Sequence, residues 1–528
     1  MMDLPALDYG VSPPSLGNIL RVQARAHPER EALRFEERTA TYAGLFAAAC
    51  RVGNNLTDMG IDRGDRIAIL AKNSDSFFEV FLGAALVGVV LVPVNWRLSA
   101  SEIAYMLDDS QARLLLIGEE FGALAADAAA MLANPPMTAG LEAGPGGSRW
   151  TEMGTDSDPA ITIASSEVAL QMYTSGTTGR PKGTLLTHHS LNSVRVSQPS
   201  EAGWCRWDET DVCLISMPLF HIGGIGTALS SIYNGARMVI AREFEPARLF
   251  DYIENDGITR LFIVPSAMRI LLDDPRMATT DLSRLRYVIY GSSPITPQLL
   301  SEAMTAFRCA FVQVYGMTET SGTIVALPTE DISVDAPELL RSAGKPLAGV
   351  EVAILDEHGN RLPPKVVGEV CIRSQANMTG YWRLPAASSA AFTADGFLRS
   401  GDAGYVDDAG YLFIHDRMKD MIISGGENVY AVEVETVLDA HPSVRESAVV
   451  GLPDPKWGEV VKAFIVLAEG HEIDIEALRS WTRTRLAAFK VPKVIEAVAA
   501  LPKNASGKIM RKQLREPTME DNRCGVRT

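Results

Sequence analysis

Between Arg66 and Asn95 the chain reads RIAIL, then SDSFFEVFLGAALVG, then VVLVPVN: a short apolar run, a segment opening on serine and aspartate cap candidates, and a second apolar run. Apolar runs of this length bounded by polar residues are strands, and the capped segment between them is a helix. The same rhythm returns at SASEIAYMLDDS followed by ARLLLIG, and again at SEAMTAF. Repeated βα units predict an α/β fold around a mainly parallel sheet. At about 150 residues per domain, 528 residues make roughly 3.5 folding units, which excludes a small binding module. An Ala-rich helix is expected from Ala123 to Ala133, running into a mobile surface loop at NPPMTAGLEAGPGG.

After about residue 416 the pattern changes. A helix is expected over Ala431 to Ala440 with Val434, Val437 and Leu438 on one face, followed by the apolar runs SAVVGLP and VVKAFIVLA and a further helix from Asp474. This reads as a separate, smaller α+β unit. Between the two patterns lies SGDAGYVDDAGYLFIHDRMKD, whose turn at Asp407 to Gly410 predicts a short hairpin.

Lysine and arginine number 49 and aspartate and glutamate 65, a formal net charge of −16. A chain of that sign has no overall attraction to nucleic acid or anionic lipid, so any anionic ligand is held by local donors. The cysteines Cys50, Cys205, Cys213, Cys309, Cys371 and Cys524 are scattered, with no CxxC pair, which favours reduced thiols and a cytoplasmic setting. The opening MMDLPALDYG has acids where a secretory signal has a basic region. The apolar run Val80 to Val94 is shorter than the ~18 residues of a membrane span. A soluble protein with at most transient membrane contact is expected, its oligomeric state open as far as a homodimer.

Directly after the apolar segment Val168 to Met172 comes YTSGTTGRPKG, Tyr173 to Gly183. Hydroxyls and glycines packed into one loop wrap phosphate oxygens with backbone and side-chain donors, and Lys182 adds a positive charge. It is not a Walker A loop: counted from Gly176, Pro181 stands at the second glycine and Gly183 where the hydroxyl should be.

Three more motifs follow: VYGMTET from Val314 to Thr320, SGDAGY to DRMKDMIISGGENVY from Ser400 to Tyr430, and PKNASGK ending at Lys508. With all four in this order, the chain resembles the adenylate-forming superfamily of acyl-CoA synthetases, aryl-CoA ligases, firefly-type luciferases and peptide-synthetase adenylation domains. It looks most like the AMP-forming acyl-CoA synthetases. The resemblance implies a large N-terminal AMP-binding domain of βα sheets over residues 1–416, a hinge at 417–419, and a small mobile α+β C-terminal domain over residues 420–528.

The reaction of that family joins a carboxylate to AMP and expels pyrophosphate. Its transition state gathers negative charge on a pentavalent α-phosphate, which calls for a metal, a lysine and aligned donors. Glu319 is a hard oxygen ligand suited to Mg2+, an ion that keeps several waters and bridges phosphates. By resemblance Glu319 is that ligand and Thr318 contacts the α-phosphate. Thr174, Ser175, Gly176, Thr177, Thr178, Gly179 and Lys182 supply the phosphate loop. Tyr315, followed by Gly316 and Met317, offers a flat face for adenine, and the turn Gly291, Ser292, Ser293 lines its other side. By resemblance Asp402 is expected to accept from ribose hydroxyls and Arg417 to donate to ribose or phosphate. The resemblance implies that Lys508 is the catalytic lysine of adenylation. By the same resemblance Lys419 is the hinge residue, and rotation there is expected to withdraw Lys508 and present Gly425 and Gly426 as a slot for a pantetheine arm.

His221, in PLFHIGG, matches a position that borders the acyl site and thiol channel of similar CoA ligases, and is counted both with the catalytic residues and with the acyl pocket. Phe220-His221 stands where amino-acid-activating relatives carry an FD-type sequence, which argues against an α-amino acid. Gly223, Gly224 and Gly226 add little bulk and are expected to leave room for a long or wide acyl group. No arginine stands out in the sequence for gripping a second carboxylate. The expected substrates are ATP, CoA and a monocarboxylic acid, foremost a medium- or long-chain fatty acid. Alternatives are an aromatic or steroid side-chain acid, or a carrier protein in place of CoA.

Overall fold

The structure is a computed structural model that describes residues 14–142, 149–174, 180–197, 203–293, 295–332, 338–424, 427–472, 474–503 and 509–515. The chain divides into two compact units. The first takes in the chain up to Ser292 with Leu299–Val352 and Ile372–Arg399; the second takes in Ser293–Gln298, Ala353–Cys371 and the chain from Ser400.

The βα reading holds in the first unit. Arg66–Leu70 and Val90–Pro93 are neighbouring parallel strands, and the helix Asp75–Val87 connects them. Ser74 caps that helix, its side chain accepting from the Phe77 N–H. Every residue of the helix is buried, so the polar ends SD and the apolar body serve capping and packing respectively. Ser99 and Glu102 form a reciprocal capping box for the next helix, Ala100–Ser110. These elements feed a seven-stranded sheet in which Arg66–Leu70 lies between Val90–Pro93 and Ala112–Ile117. A nine-stranded sheet carries the parallel run Val212–Ile215, Arg260–Ile263, Tyr287–Gly291, Ala310–Met317.

One expectation is corrected here. The Ala-rich helix ends early, at Gly122–Ala129, and Met137–Gly140 within the expected loop is a strand paired in parallel with Ala112–Ile117. Met137 is 44% exposed, so this edge strand is held by backbone pairing and leaves no hydrophobic signature in the sequence. The remainder of that loop, residues 143–148, lies outside the described residues.

In the second unit, the strand Leu398–Val406, which belongs to it from Ser400 on, pairs antiparallel with Leu412–Arg417 across the expected turn, where the Asp407 carboxylate accepts from Ala409 and Tyr411 N–H groups. Residue 416 thus lies inside this unit. The long strands Val444–Asp454 and Gly458–Leu467 form an antiparallel pair, with Val494–Ala497 parallel to the latter. The helices Ala431–Asp439 and Ile475–Arg483 accompany them, Asp474 capping the second. Val434, Leu438, Val449, Val461, Ile465 and Leu478 make the core of this sheet.

Cys50, Cys205, Cys213, Cys309 and Cys371 are free thiols, and Cys524 is outside the described residues. Among the described residues no helix is long and apolar enough to cross a membrane.

Candidate active site

The strand Val168–Thr174 and the strand Lys182–Thr187 pair antiparallel with Thr174 opposite Lys182. The phosphate motif is therefore the connection of a hairpin whose two ends are fixed by sheet register. Ser175, Gly176, Thr177, Thr178 and Gly179 lie outside the described residues; their flanks are clamped. Tyr105 donates its hydroxyl to the Pro181 carbonyl at 3.0 Å. The Trp382 amide donates to the Gly183 carbonyl at 2.7 Å, and its indole N–H to the Asp109 carbonyl at 2.9 Å. Tyr173 donates to Asp109 Oδ2 at 2.6 Å; burial and then Asp109 push the phenol up, so it stays a neutral donor.

The VYGMTET motif crosses from the strand Ala310–Met317 into a single 3₁₀ turn, Thr318–Thr320, and returns as the strand Gly322–Leu327. Thr320 Oγ1 accepts from the Met317 N–H at 3.0 Å and donates to the Gly322 carbonyl at 2.8 Å. The two arms approach so closely that a Cβ on Gly316 would stand 1.9 Å from the Gly322 carbonyl oxygen. Glycine at 316 is a steric requirement of this turn.

The turn holds the Glu319 carboxylate in place. Glu319 is 7% exposed; its Oε1 accepts from Thr174 Oγ1 at 2.9 Å and from the Tyr381 hydroxyl at 3.3 Å. Its carbonyl accepts from the Met378 N–H at 2.8 Å. Lys182 Nζ stands 4.9 Å from the Tyr381 ring centroid. Thr174, Lys182, Glu319 and Tyr381 thus converge. Three were expected from the sequence; Tyr381 was not, because the short strand Gly380–Tyr381 carries no motif and joins the site only by pairing with Lys182–Thr187.

Glu319 Oε2 takes no hydrogen bond from the described residues, and the described residues contain no cluster of three or more His, Cys, Asp or Glu side chains fit for a metal. One free carboxylate oxygen without a cage suits Mg2+, which arrives with phosphates and keeps its waters.

Gly291 ends the parallel strand Tyr287–Gly291 opposite Val314, so Ser292 and Tyr315 each follow a cross-strand pair at the carboxyl end of the sheet. That edge is where open α/β sheets take ligands. Ser292 is exposed and has φ 67°. Ser293 belongs to the second unit.

Within the second unit Asp402 and Arg417 are opposite each other, with Arg417 Nε 2.7 Å from Asp402 Oδ1. The Asp402 side chain is buried and the Arg417 side chain about one third exposed, at 32%. Their neighbour Asp416 accepts from the Arg417 N–H at 2.7 Å and from the Ala431 N–H at 2.9 Å, and burial raises its carboxyl. Lys419 lies in the short turn Met418–Asp420. Gly425, Gly426 and Lys508 are outside the described residues. Arg511, three residues beyond Lys508, donates from Nη2 to both Glu435 carboxylate oxygens, at 2.8 Å each.

His221 precedes the helix Ile222–Tyr233, its ring 4.6 Å from that of Phe220. Burial, helped by Arg97, lowers the imidazole to about 4, so it is neutral at pH 7. Its Nε2 is shielded from solvent and has no hydrogen-bond partner among the described residues. The expected room at the glycines is corrected at Gly224. A Cβ there would stand 2.7 Å from the Pro218 carbonyl and 2.8 Å from that of Met217, so the chain's own backbone fills the space. Gly223 faces the Phe262 ring, 3.2 Å from where its Cβ would be.

The profile of the AMP-binding enzyme family matches residues 20–382, and that of the AMP-binding enzyme C-terminal domain matches residues 433–508. A fatty acid–[acyl-carrier-protein] ligase, ScoC of Streptomyces coeruleorubidus, is 41% identical over 93% of this chain and 94% of its own length. A long-chain-fatty-acid–CoA ligase of Mycobacterium tuberculosis, FadD13, is 36% identical over 95% of this chain and 98% of its own. The solved structure of o-succinylbenzoate CoA synthetase from Bacillus subtilis with its acyl-adenylate intermediate superposes with a TM-score of 0.83 at 33% identity, over 95% of this chain and 98% of that one.

Proposed function

Because the chain belongs to the AMP-binding enzyme family and is an AMP-forming acid–thiol ligase, we propose that it activates a medium- or long-chain fatty acid in the cytoplasm and transfers the acyl group to CoA. In the first half-reaction a carboxylate oxygen attacks the α-phosphorus of ATP. The bond to the bridging oxygen breaks, and pyrophosphate leaves with the electron pair. In the second, the CoA thiol gives its proton to water and the thiolate sulfur attacks the acyl carbon; the carbon–oxygen bond to AMP breaks, and AMP leaves as the anion.

The observation that carries this reading is the Glu319 carboxylate held by Thr174 and Tyr381 where the phosphate hairpin leaves its strand. Lys182 offers a cation to the phosphates, and Thr174 and Thr318 offer hydroxyls. Glu319 would hold Mg2+, which supplies charge neutralisation on the polyphosphate. Tyr315 and Ser292 border adenine, and Asp402 and Arg417 take the ribose and phosphate. Lys508 neutralises charge in the first half-reaction. Rotation at residues 417–419 then brings the small domain, with Gly425 and Gly426, to the pantetheine. The neutral His221 borders the acyl group and the incoming thiol.

A second acceptor is favoured by one finding, the 41% identity to a fatty acid–acyl-carrier-protein ligase. The test is AMP release and thioester formation across straight-chain, aromatic and steroid-like acids with ATP and Mg2+, with either CoA or a holo carrier protein as acceptor. Acyl-CoA from straight-chain acids supports the reading. A thioester on the carrier protein alone replaces the acceptor, and no AMP with any acid overturns it.

A further inference from the structure

The helix His188–Ser197 brings Arg195 against the helix Ile222–Tyr233. Its Nε donates to Ser230 Oγ at 3.1 Å, Nη2 to the Gly226 carbonyl at 2.5 Å, and Nη1 to the Leu191 carbonyl. A guanidinium has five N–H donors. One on each terminal nitrogen is therefore left without an acceptor among the described residues. Arg195 makes no ion pair with any described residue, so every acceptor it has among the described residues is neutral. Burial lowers the guanidinium to about 10, the direction expected of a charge withdrawn from water without a counter-ion.

The surroundings keep an open side. Gly223, Gly226, Thr227 and Ser230 fall on one helical face and are half-buried, as is Arg195, whereas Ala228, Leu229 and Ser231 behind them are buried. At Gly226 a Cβ would stand 3.5 Å from Arg195 Nη2, so a longer side chain would displace the guanidinium. Gly226 is five residues beyond His221, about 7.5 Å along the helix axis.

Resting on the reading of His221 as the border of the acyl site, we propose that Arg195 forms the far end of that site and binds an oxygen acceptor on the acyl chain. The activated fatty acid is then an oxygenated one, bearing a hydroxyl, oxo or carboxylate group remote from its reacting carboxyl. A carboxylate satisfies both spare N–H donors and the charge, a hydroxyl or ketone only hydrogen bonding, and a methyl end neither. Affinity falls in that order.

The test is calorimetric titration of the full-length protein, with AMP present, using hexanoate, heptanoate and octanoate against their ω-hydroxy and ω-carboxy counterparts. At one chain length or more the oxygenated acid binds about tenfold tighter than the plain one. In Arg195→Met that ratio falls to about one, and Arg195→Lys, which keeps the charge without the fork, lies between. Equal affinities in the wild-type protein overturn the proposal, and so does a ratio that survives in Arg195→Met; the wild-type comparison decides even where the variant fails to fold. ATP–pyrophosphate exchange with the same acids tests the ligase reading separately. Its absence with every acid overturns that reading and leaves the calorimetric ratio to judge Arg195.

Discussion

Thr174 and Glu319 stand 145 residues apart in the chain and are joined by a 2.9 Å hydrogen bond from hydroxyl to carboxylate. One residue ends the strand that enters the phosphate loop; the other sits in the turn of VYGMTET. Glu319→Gln is expected to lower ATP–pyrophosphate exchange about a hundredfold and to raise the Mg2+ concentration at half-maximal rate. Thr174→Val and Tyr381→Phe, each of which leaves the carboxylate in place with one of these two hydrogen bonds removed, cost about tenfold each. A Mg2+ titration of the exchange rate checks both, and an unshifted Mg2+ dependence in Glu319→Gln contradicts the assignment.

Asp402 is expected to act on ATP binding. Asp402→Asn raises the KM for ATP about tenfold with a smaller effect on kcat, the cost of a hydrogen bond to a charged group. Because Arg417 Nε lies 2.7 Å from its carboxylate, the double variant with Arg417→Gln is less damaging than the product of the singles. Steady-state kinetics at saturating acid and thiol measure both terms.

Lys508→Ala is expected to cripple acyl-adenylate formation while sparing thioester formation from supplied acyl-AMP, since its charge acts in the first half-reaction. Lys419→Pro gives the opposite ranking, its fixed φ resisting rotation. Single-turnover assays of each half-reaction separate them. Equal loss of both half-reactions in Lys508→Ala contradicts its role.

His188 should make the fold acid-sensitive. It is fully buried, its Nδ1 accepts from the Leu16 N–H at 3.2 Å, and burial lowers it to about 4. Its folded value lies below that of the unfolded chain, about 6.5, so the unfolded state binds more protons below that pH. The stability is complete above about pH 6.5 and is lost as pH falls toward 4, at most roughly 3 kcal/mol. Urea unfolding at a series of pH values shows the slope, and His188→Gln flattens it.

Arg260 and Asp211 form an ion pair with both side chains at 0% exposure, and Arg260 also stacks 4.1 Å from the Trp207 ring centroid. Arg260→Met leaves Asp211 buried beside Thr259 and Arg286 without its main cation. A loss of about 4 kcal/mol is expected, read from the denaturation midpoint.

The βα framework was legible because burial writes itself as periodicity: the helix Asp75–Val87 and its two strands fall where the apolar runs and cap residues put them. Glu319 and Lys182 were legible because their motifs are local and carry their own chemistry. Tyr381 and Arg195 were not. Tyr381 meets Glu319 across 62 residues, and HHSLNSVRVS looks like any surface helix until Gly226 and Ser230 arrive from another element. The strand Met137–Gly140 escaped for a related reason, since backbone pairing at an edge asks little of side chains. Gly224 was misread because a missing side chain looks the same in sequence whether a ligand or the Pro218 carbonyl takes the space.

The contact between Gly316 and the Gly322 carbonyl bears on how this protein can drift. No Cβ fits at 1.9 Å, so a saturation library at residue 316 should return glycine wherever the enzyme still works, whatever acid is used for selection. On the acyl side Gly224 is held in the same way by the Pro218 carbonyl, whereas Gly226, where a Cβ would stand 3.5 Å from the Arg195 side chain, is under no such constraint. A lineage descended from this chain is therefore free to exchange its diet of acids while inheriting the Glu319 turn unaltered.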